Sequence, residues 1–129
     1  MYQTYDGRLH AYWLDKTKHG SWPHDVPGSG IRFASEPFVV DLNGDGLAEV
    51  IFNSWPQNGG NRNGHLHILD YLGNELHRVE LPTPRSGDWN GALGAPTIAN
   101  VDDDADMELS IGTVASGVGV YDLPNINGT

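Results

Sequence analysis

The chain has 129 residues, no Cys and a formal net charge of −10. That size fits one domain or part of one, and the missing Cys excludes disulfides and thiolate metal sites. The 7 Lys and Arg residues are scattered, so no nucleic-acid surface is expected, and no stretch approaches the ~18 apolar residues of a membrane helix, so no membrane insertion is expected either.

Met1-Tyr2-Gln3-Thr4 lacks the basic start and apolar run of a signal peptide. Residues 7–14 already read as a strand, and Ser21-Trp22-Pro23 stands where a partner strand belongs. The chain is therefore expected to begin inside a repeat, as an excerpt of a longer precursor with its targeting signal upstream. Ser29, in Gly28-Ser29-Gly30, belongs to a linker turn rather than to a Gly-x-Ser-x-Gly nucleophile elbow.

Next come Pro37-Phe38-Val39-Val40 and Glu49-Val50-Ile51-Phe52-Asn53, two β-prone runs on either side of an acidic loop. A polar stretch of turn formers, residues 57–64, leads to His65-Leu66-His67-Ile68-Leu69, which alternates polar and apolar as a half-buried strand does. After a turn at Leu72-Gly73-Asn74, residues 75–81 alternate again, until Pro82 and Pro84 end the run. This predicts a four-stranded antiparallel meander with the acidic loop between its first two strands. The order then recurs: residues 95–99, a second acidic loop, residues 109–113 and residues 117–122. No amphipathic helix stands out.

Corresponding landmarks (Asp41 and Asn100, Gly7 and Gly64, Asp70 and Asp122) recur at slightly above ~50 residues, the length of a β-propeller blade. The fold class expected is all-β, a partial propeller of about two to two and a half blades. Residues 1–33 would hold the last two strands of one blade and a linker. Residues 34–92 would form a full blade, and residues 93–129 three strands of another.

The acidic loops carry the chemistry. Asp41, Asn43, Asp45 and Glu49 occupy positions 1, 3, 5 and 9 of one window, and Asn100, Asp102, Asp104 and Glu108 those of the other. Oxygen side chains in that pattern suit a hard cation, and calcium is the natural occupant. The two windows hold nearly half of the 17 acidic residues, so bound cations would offset much of the charge. An EF-hand would need its bidentate Glu at position 12, which is Phe52, and helices where strands are expected. Polar turns are the alternative reading, since Asp, Asn and Gly are ordinary turn formers. Repetition at matching places favours metal. The second site is expected to bind less tightly, because Ala105 stands where the first has Gly46 and Asn100 where it has Asp41.

The loops, their β flanks and Gly94-Ala95-Pro96 ahead of the second copy resemble the FG-GAP repeat, also called the VCBS repeat, of integrin α-chain propellers and secreted bacterial proteins. The first unit departs from it with Ala34-Ser35-Glu36-Pro37. The resemblance implies a closed ring of blades, an extracellular or cell-surface location and structural calcium ions, here two. It implies ligand roles for Asp41, Asn43, Asp45, Leu47 and Glu49, and for Asn100, Asp102, Asp104, Asp106 and Glu108. Leu47 and Asp106 would act through their carbonyls. Since a closed ring needs at least four blades, the partners expected are other blades of a larger propeller or further copies of this chain.

His65 and His67 share one strand face and can seat a transition metal, although the alignment of His10 with His67 favours packing. Trp55 and Trp89, in Gly- and Asn-rich surroundings, are candidate carbohydrate platforms, and blade packing is the competing role. The function expected is a calcium-binding extracellular repeat segment for binding, adhesion or assembly, with a protein or glycan ligand and no enzyme activity. One alternative is the propeller part of a secreted polysaccharide-active enzyme, since some rhamnogalacturonan lyases resemble this loop chemistry. Another is a structural subunit of a cell-surface filament.

Overall fold

The structure, a computed structural model, describes residues 2–3, 7–26, 31–56, 62–84 and 90–123. Among them the chain is all-β, with antiparallel sheets and no helix, hence none long and apolar enough to cross a membrane. The first sheet is β1 (Tyr2–Gln3), β2 (Arg8–His10) and β3 (His24–Asp25), with β2 in the middle. The central sheet runs through β4 (Ile31–Ala34), β5 (Phe38–Val40), β6 (Glu49–Pro56), β7 (His65–Leu69) and β8 (Glu75–Glu80). The third is β9 (Thr97–Ala99), β10 (Met107–Thr113) and β11 (Gly117–Leu123), with β10 in the middle.

The central sheet has the expected meander from β5 through β8. Two features go beyond the sequence reading. The second strand runs on to Pro56, and that extension pairs with β4 at Phe33↔Trp55 and Ala34↔Ser54. One edge of β6 thus carries β5 beside its first half and β4 beside its second. The boundary expected between residues 33 and 34 falls inside β4. In the first sheet β2 is shorter than expected, and its partner is His24–Asp25 rather than Ser21-Trp22-Pro23. Trp22 is instead a buried core residue.

Alternation along β6 explains how the sheets stack. Val50 and Phe52 enter an apolar cluster with Leu9, Trp22 and Val26 of the first unit and with Leu69. Ile51 points the other way, into a cluster with Leu66, Ile68, Leu109, Ile111 and Leu123, which joins the central sheet to the third. The middle strands of the central sheet, β6 and β7, are therefore covered on both faces. Asn90 adds a polar tie: its Nδ2 donates to Pro82 O at 2.8 Å and Ser116 Oγ at 3.0 Å, and its Oδ1 accepts from the amides of Gly91 and Ala115 at 3.0 and 3.2 Å.

Leu109 is fully buried between the central and third sheets, whereas Val118 is 72% exposed. Leu109→Ala is expected to lower the unfolding free energy by ~2–5 kcal/mol, and Val118→Ala by under ~0.5 kcal/mol. Urea unfolding of the two variants checks the assignment of the second core.

Candidate cation sites

The two acidic loops bridge equivalent strand pairs, β5 to β6 and β9 to β10. Three of their internal hydrogen bonds correspond position by position. The position-3 carbonyl or carboxylate oxygen accepts the position-5 amide, Asn43 Oδ1 from Asp45 at 2.9 Å and Asp102 Oδ1 from Asp104 at 3.0 Å. The position-5 carboxylate accepts the position-7 amide, Asp45 from Leu47 at 2.7 Å and Asp104 from Asp106 at 2.9 Å. The position-9 glutamate closes each loop: Glu49 Oε2 accepts the Leu42 amide at 2.8 Å and Glu108 Oε2 the Val101 amide at 2.6 Å. Both glutamates are 5% exposed, so each loop brings one carboxylate into the protein.

The loops differ at position 1 and in backbone. Asp41 accepts the amides of Gly44 and Gly46 at 2.7 and 2.8 Å. Gly44 and Gly46 reach those bonds at φ of 77° and 84°, where a side chain would be strained. The Gly46 amide chiefly, helped by those of Gly44, Asp45 and Asn43, holds the Asp41 carboxyl below the usual carboxylate range. Asn100 instead donates its amide to Asp104 O at 2.8 Å. Neither Asp103 nor Ala105 takes a positive φ, so the substitution of Ala for Gly costs the second loop no strain.

The outcome bears on the expected order of the two sites. Asp102, Asp104 and Glu108 offer carboxylate oxygens that all lie within 4.8 Å of one another. Two ligands about 2.3–2.6 Å from one calcium ion are separated by no more than about that distance. Glu108 Oε1 is buried and has no hydrogen-bond partner among the described residues, an orphaned anionic oxygen that a cation would satisfy. Asp41, Asp45 and Glu49 do not come together to this degree. The residues of the second loop fit a calcium ion as they stand. In the first, Asp41 is already engaged with backbone amides. Leu47 and Asp106 join their loops through their amides.

A second convergence was not legible in the sequence. His67, fully buried on β7, does not pair with His65 to offer a metal site; it turns to Glu75 on β8 and His24 on β3. Its Nδ1 is 3.2 Å from Glu75 Oε2 and its Nε2 is 2.9 Å from Ser54 Oγ. A Ser-His-Glu sequence of contacts invites comparison with an acyl-transfer triad. Here Ser54 is 0% exposed and its Oγ already accepts the His65 amide at 2.9 Å, so no substrate carbonyl can reach it. The imidazole lies flat on Phe52, with ring centroids 4.6 Å apart.

Trp55 is partly buried. A Cβ on Gly91 would lie 2.4 Å from the Trp55 Cβ, so the backbone at Gly91 runs close against the base of that residue. Trp89 lies outside the described residues. A cleft of about 540 Å³ opens beside the first acidic loop, lined mainly by apolar side chains that include Leu66, Ile68, Leu76, Val79 and Leu123, with Glu49 and Asn43 among its polar residues.

Burial first, then the neighbouring His65, His24 and Arg78, pushes His67 down to about 3 from its ordinary value of 6.5. The unfolded chain therefore binds the extra proton as pH falls below ~6.5, while the folded chain refuses it until pH is near about 3. Stability contributed by neutral His67 is fully present above ~6.5 and is lost as pH drops through that window, by up to ~1.4 kcal/mol per pH unit. Unfolding in chelator across this range is expected to show the slope in the parent chain and a shallower one in His67→Gln; parallel profiles would contradict it.

No family model, curated protein or solved structure matches this chain. Its function is read from its own residues.

Proposed function

We propose that the chain is a calcium-binding segment of an extracellular β-propeller, with a role in binding, adhesion or assembly. The observation that carries the calcium reading is the convergence of Asp102, Asp104 and Glu108 around the buried, unpartnered Glu108 Oε1. Bound calcium supplies positive charge that offsets the mutual repulsion of these carboxylates and completes the coordination of that oxygen. The residues that would hold it are Asn100, Asp102, Asp104, Asp106 and Glu108, and in the first loop Asp41, Asn43, Asp45, Leu47 and Glu49. Each carboxylate oxygen has two lone pairs, so the amide bonds of the first loop preorganise it without using up its ligand capacity. Binding there is weaker, since its acids must still draw together.

The propeller reading is supported by successive antiparallel sheets stacked face to face through two apolar cores. It is also supported by the apolar residues left at the outer positions of the stack. Val118 and Val120 on β11 and Leu76 and Val79 on β8 are 72%, 56%, 49% and 41% exposed, on strands at the edges of their sheets. Further blades, or further copies of the chain, would cover such edges. The cleft between β8 and β11 adds concave apolar surface for a ligand.

Calorimetric titration with calcium, and with magnesium as control, is the test. The parent chain is expected to bind calcium selectively at two sites of unequal affinity. Glu108→Gln is expected to abolish the tighter one, and Glu49→Gln the weaker. Loss of the tighter site in Glu49→Gln rather than Glu108→Gln would reverse the assignment, and no heat with calcium would remove the metal reading altogether.

A further inference from the structure

His24, His67 and Glu75 come from three strands of two sheets, and one ring nitrogen of each histidine and a Glu75 oxygen all lie within 4.8 Å of one another. Glu75 Oε2 stands 3.2 Å from His67 Nδ1 and 3.8 Å from His24 Nε2. Ligand atoms about 2.0–2.1 Å from a tetrahedral zinc ion are about 3.3–3.4 Å apart, so both separations bracket the edge of such a tetrahedron. A carboxylate and two imidazoles leave one position for water, and Glu75, whose side chain is 25% exposed, lies on the solvent side.

The surrounding hydrogen bonds fix the free ring nitrogen of His24 and allow the one required of His67. The partner of His24 Nδ1 is Gly73 O at 3.2 Å. A carbonyl only accepts, so Nδ1 carries the proton and Nε2 presents its lone pair. That buried Nε2 makes no hydrogen bond among the described residues. On His67, Ser54 Oγ meets Nε2 at 2.9 Å and also accepts the His65 amide, with His65 O at 3.4 Å as an acceptor for its own proton. This arrangement lets His67 donate from Nε2 to Ser54 and turn an Nδ1 lone pair toward Glu75. Arg78 Nε, 3.6 Å from Glu75 Oε1, holds the other carboxylate oxygen aside. Without an ion, His67 Nδ1–H donates to Glu75 Oε2; with an ion bound the proton would stand on Nε2, and two imidazole lone pairs and a carboxylate oxygen would face one point. Each imidazole has its far nitrogen tied to an oxygen acceptor, as metal-bound histidines do.

We propose that His24, His67 and Glu75 form a binding site for a divalent transition ion, best suited to zinc, that clamps the first sheet to the central one. Imidazole ligands select such ions over calcium, and none of these residues belongs to an acidic loop, so the site is independent of the calcium reading. The ion would stand beside the first apolar core, where His24 meets Phe52 edge-on at 6.1 Å between ring centroids.

The test is zinc titration of the full chain by calorimetry in saturating calcium, followed by thermal melts with and without zinc. The parent chain is expected to take up one zinc per molecule and to melt higher. His24→Gln and Glu75→Gln are each expected to weaken zinc by at least ~10-fold, while Glu108→Gln binds zinc as the parent does. Both ligand variants leave Ser54 and His67 in place; if one fails to fold, the other carries the test. A folded parent chain that takes no zinc would overturn the proposal, as would uptake that neither ligand variant reduces, the mark of adventitious binding by other histidines. Uptake abolished by Glu108→Gln would assign zinc to the acidic loop instead and would also overturn it.

Discussion

Burial of β6 on both faces is the constraint on which the remaining structure depends. Val50 and Phe52 fill one core and Ile51 the other, and each such side chain contributes roughly 1.5–3 kcal/mol on burial. Because side chains alternate strictly, a one-residue slip in register would exchange the two sets and mismatch the packing of both cores. The same register places Glu49 at the first position of the strand, under an acidic loop, and Ser54 near its end, against His67. Core packing and polar chemistry are thus set by one alignment. The third sheet repeats part of this design: Leu109 and Ile111 of β10 are buried as β6 residues are, and Glu108 stands at the equivalent of Glu49.

The loops show how a shared hydrogen-bond scheme can support two states of readiness. Three bonds are common to both, from positions 5, 7 and 2 to the side chains at positions 3, 5 and 9. Those bonds hold each loop as a turn. Position 1 decides the rest. An aspartate there gathers backbone amides, which stabilise its charge locally. An asparagine, tied to a carbonyl, leaves the carboxylates of Asp102, Asp104 and Glu108 to face one another. Glycine at positions 4 and 6 matters only to the first arrangement, which is why Ala105 is tolerated in the second.

Much of this was legible in the chain itself. The alternation in residues 65–69 and 75–80 marks β7 and β8, and the spacing of the acids marks the loops. What escaped was long-range. The short β4 follows a Gly-Ser-Gly stretch and is specified by its pairing with the far half of β6, not by its own pattern. The different geometry of the two loops escaped because the sequence displays acids but not which backbone amides they accept. His67 was visible as a candidate ligand, yet its partners His24 and Glu75 lie in other strands, and the proton positions depend on Gly73 O and Ser54 Oγ. Only the folded arrangement of sheets brings those groups together.

Native-state hydrogen exchange with calcium and with chelator tests the account most directly. The amides of Ile51, Phe52 and Asn53 in β6 should exchange slowest in either state, because that strand is buried on both faces. Calcium should add protection at the amides of Val101, Asp104 and Asp106, which donate to Glu108, Asp102 and Asp104. Protection that calcium leaves unchanged in that loop, or fast exchange across β6, would contradict the account.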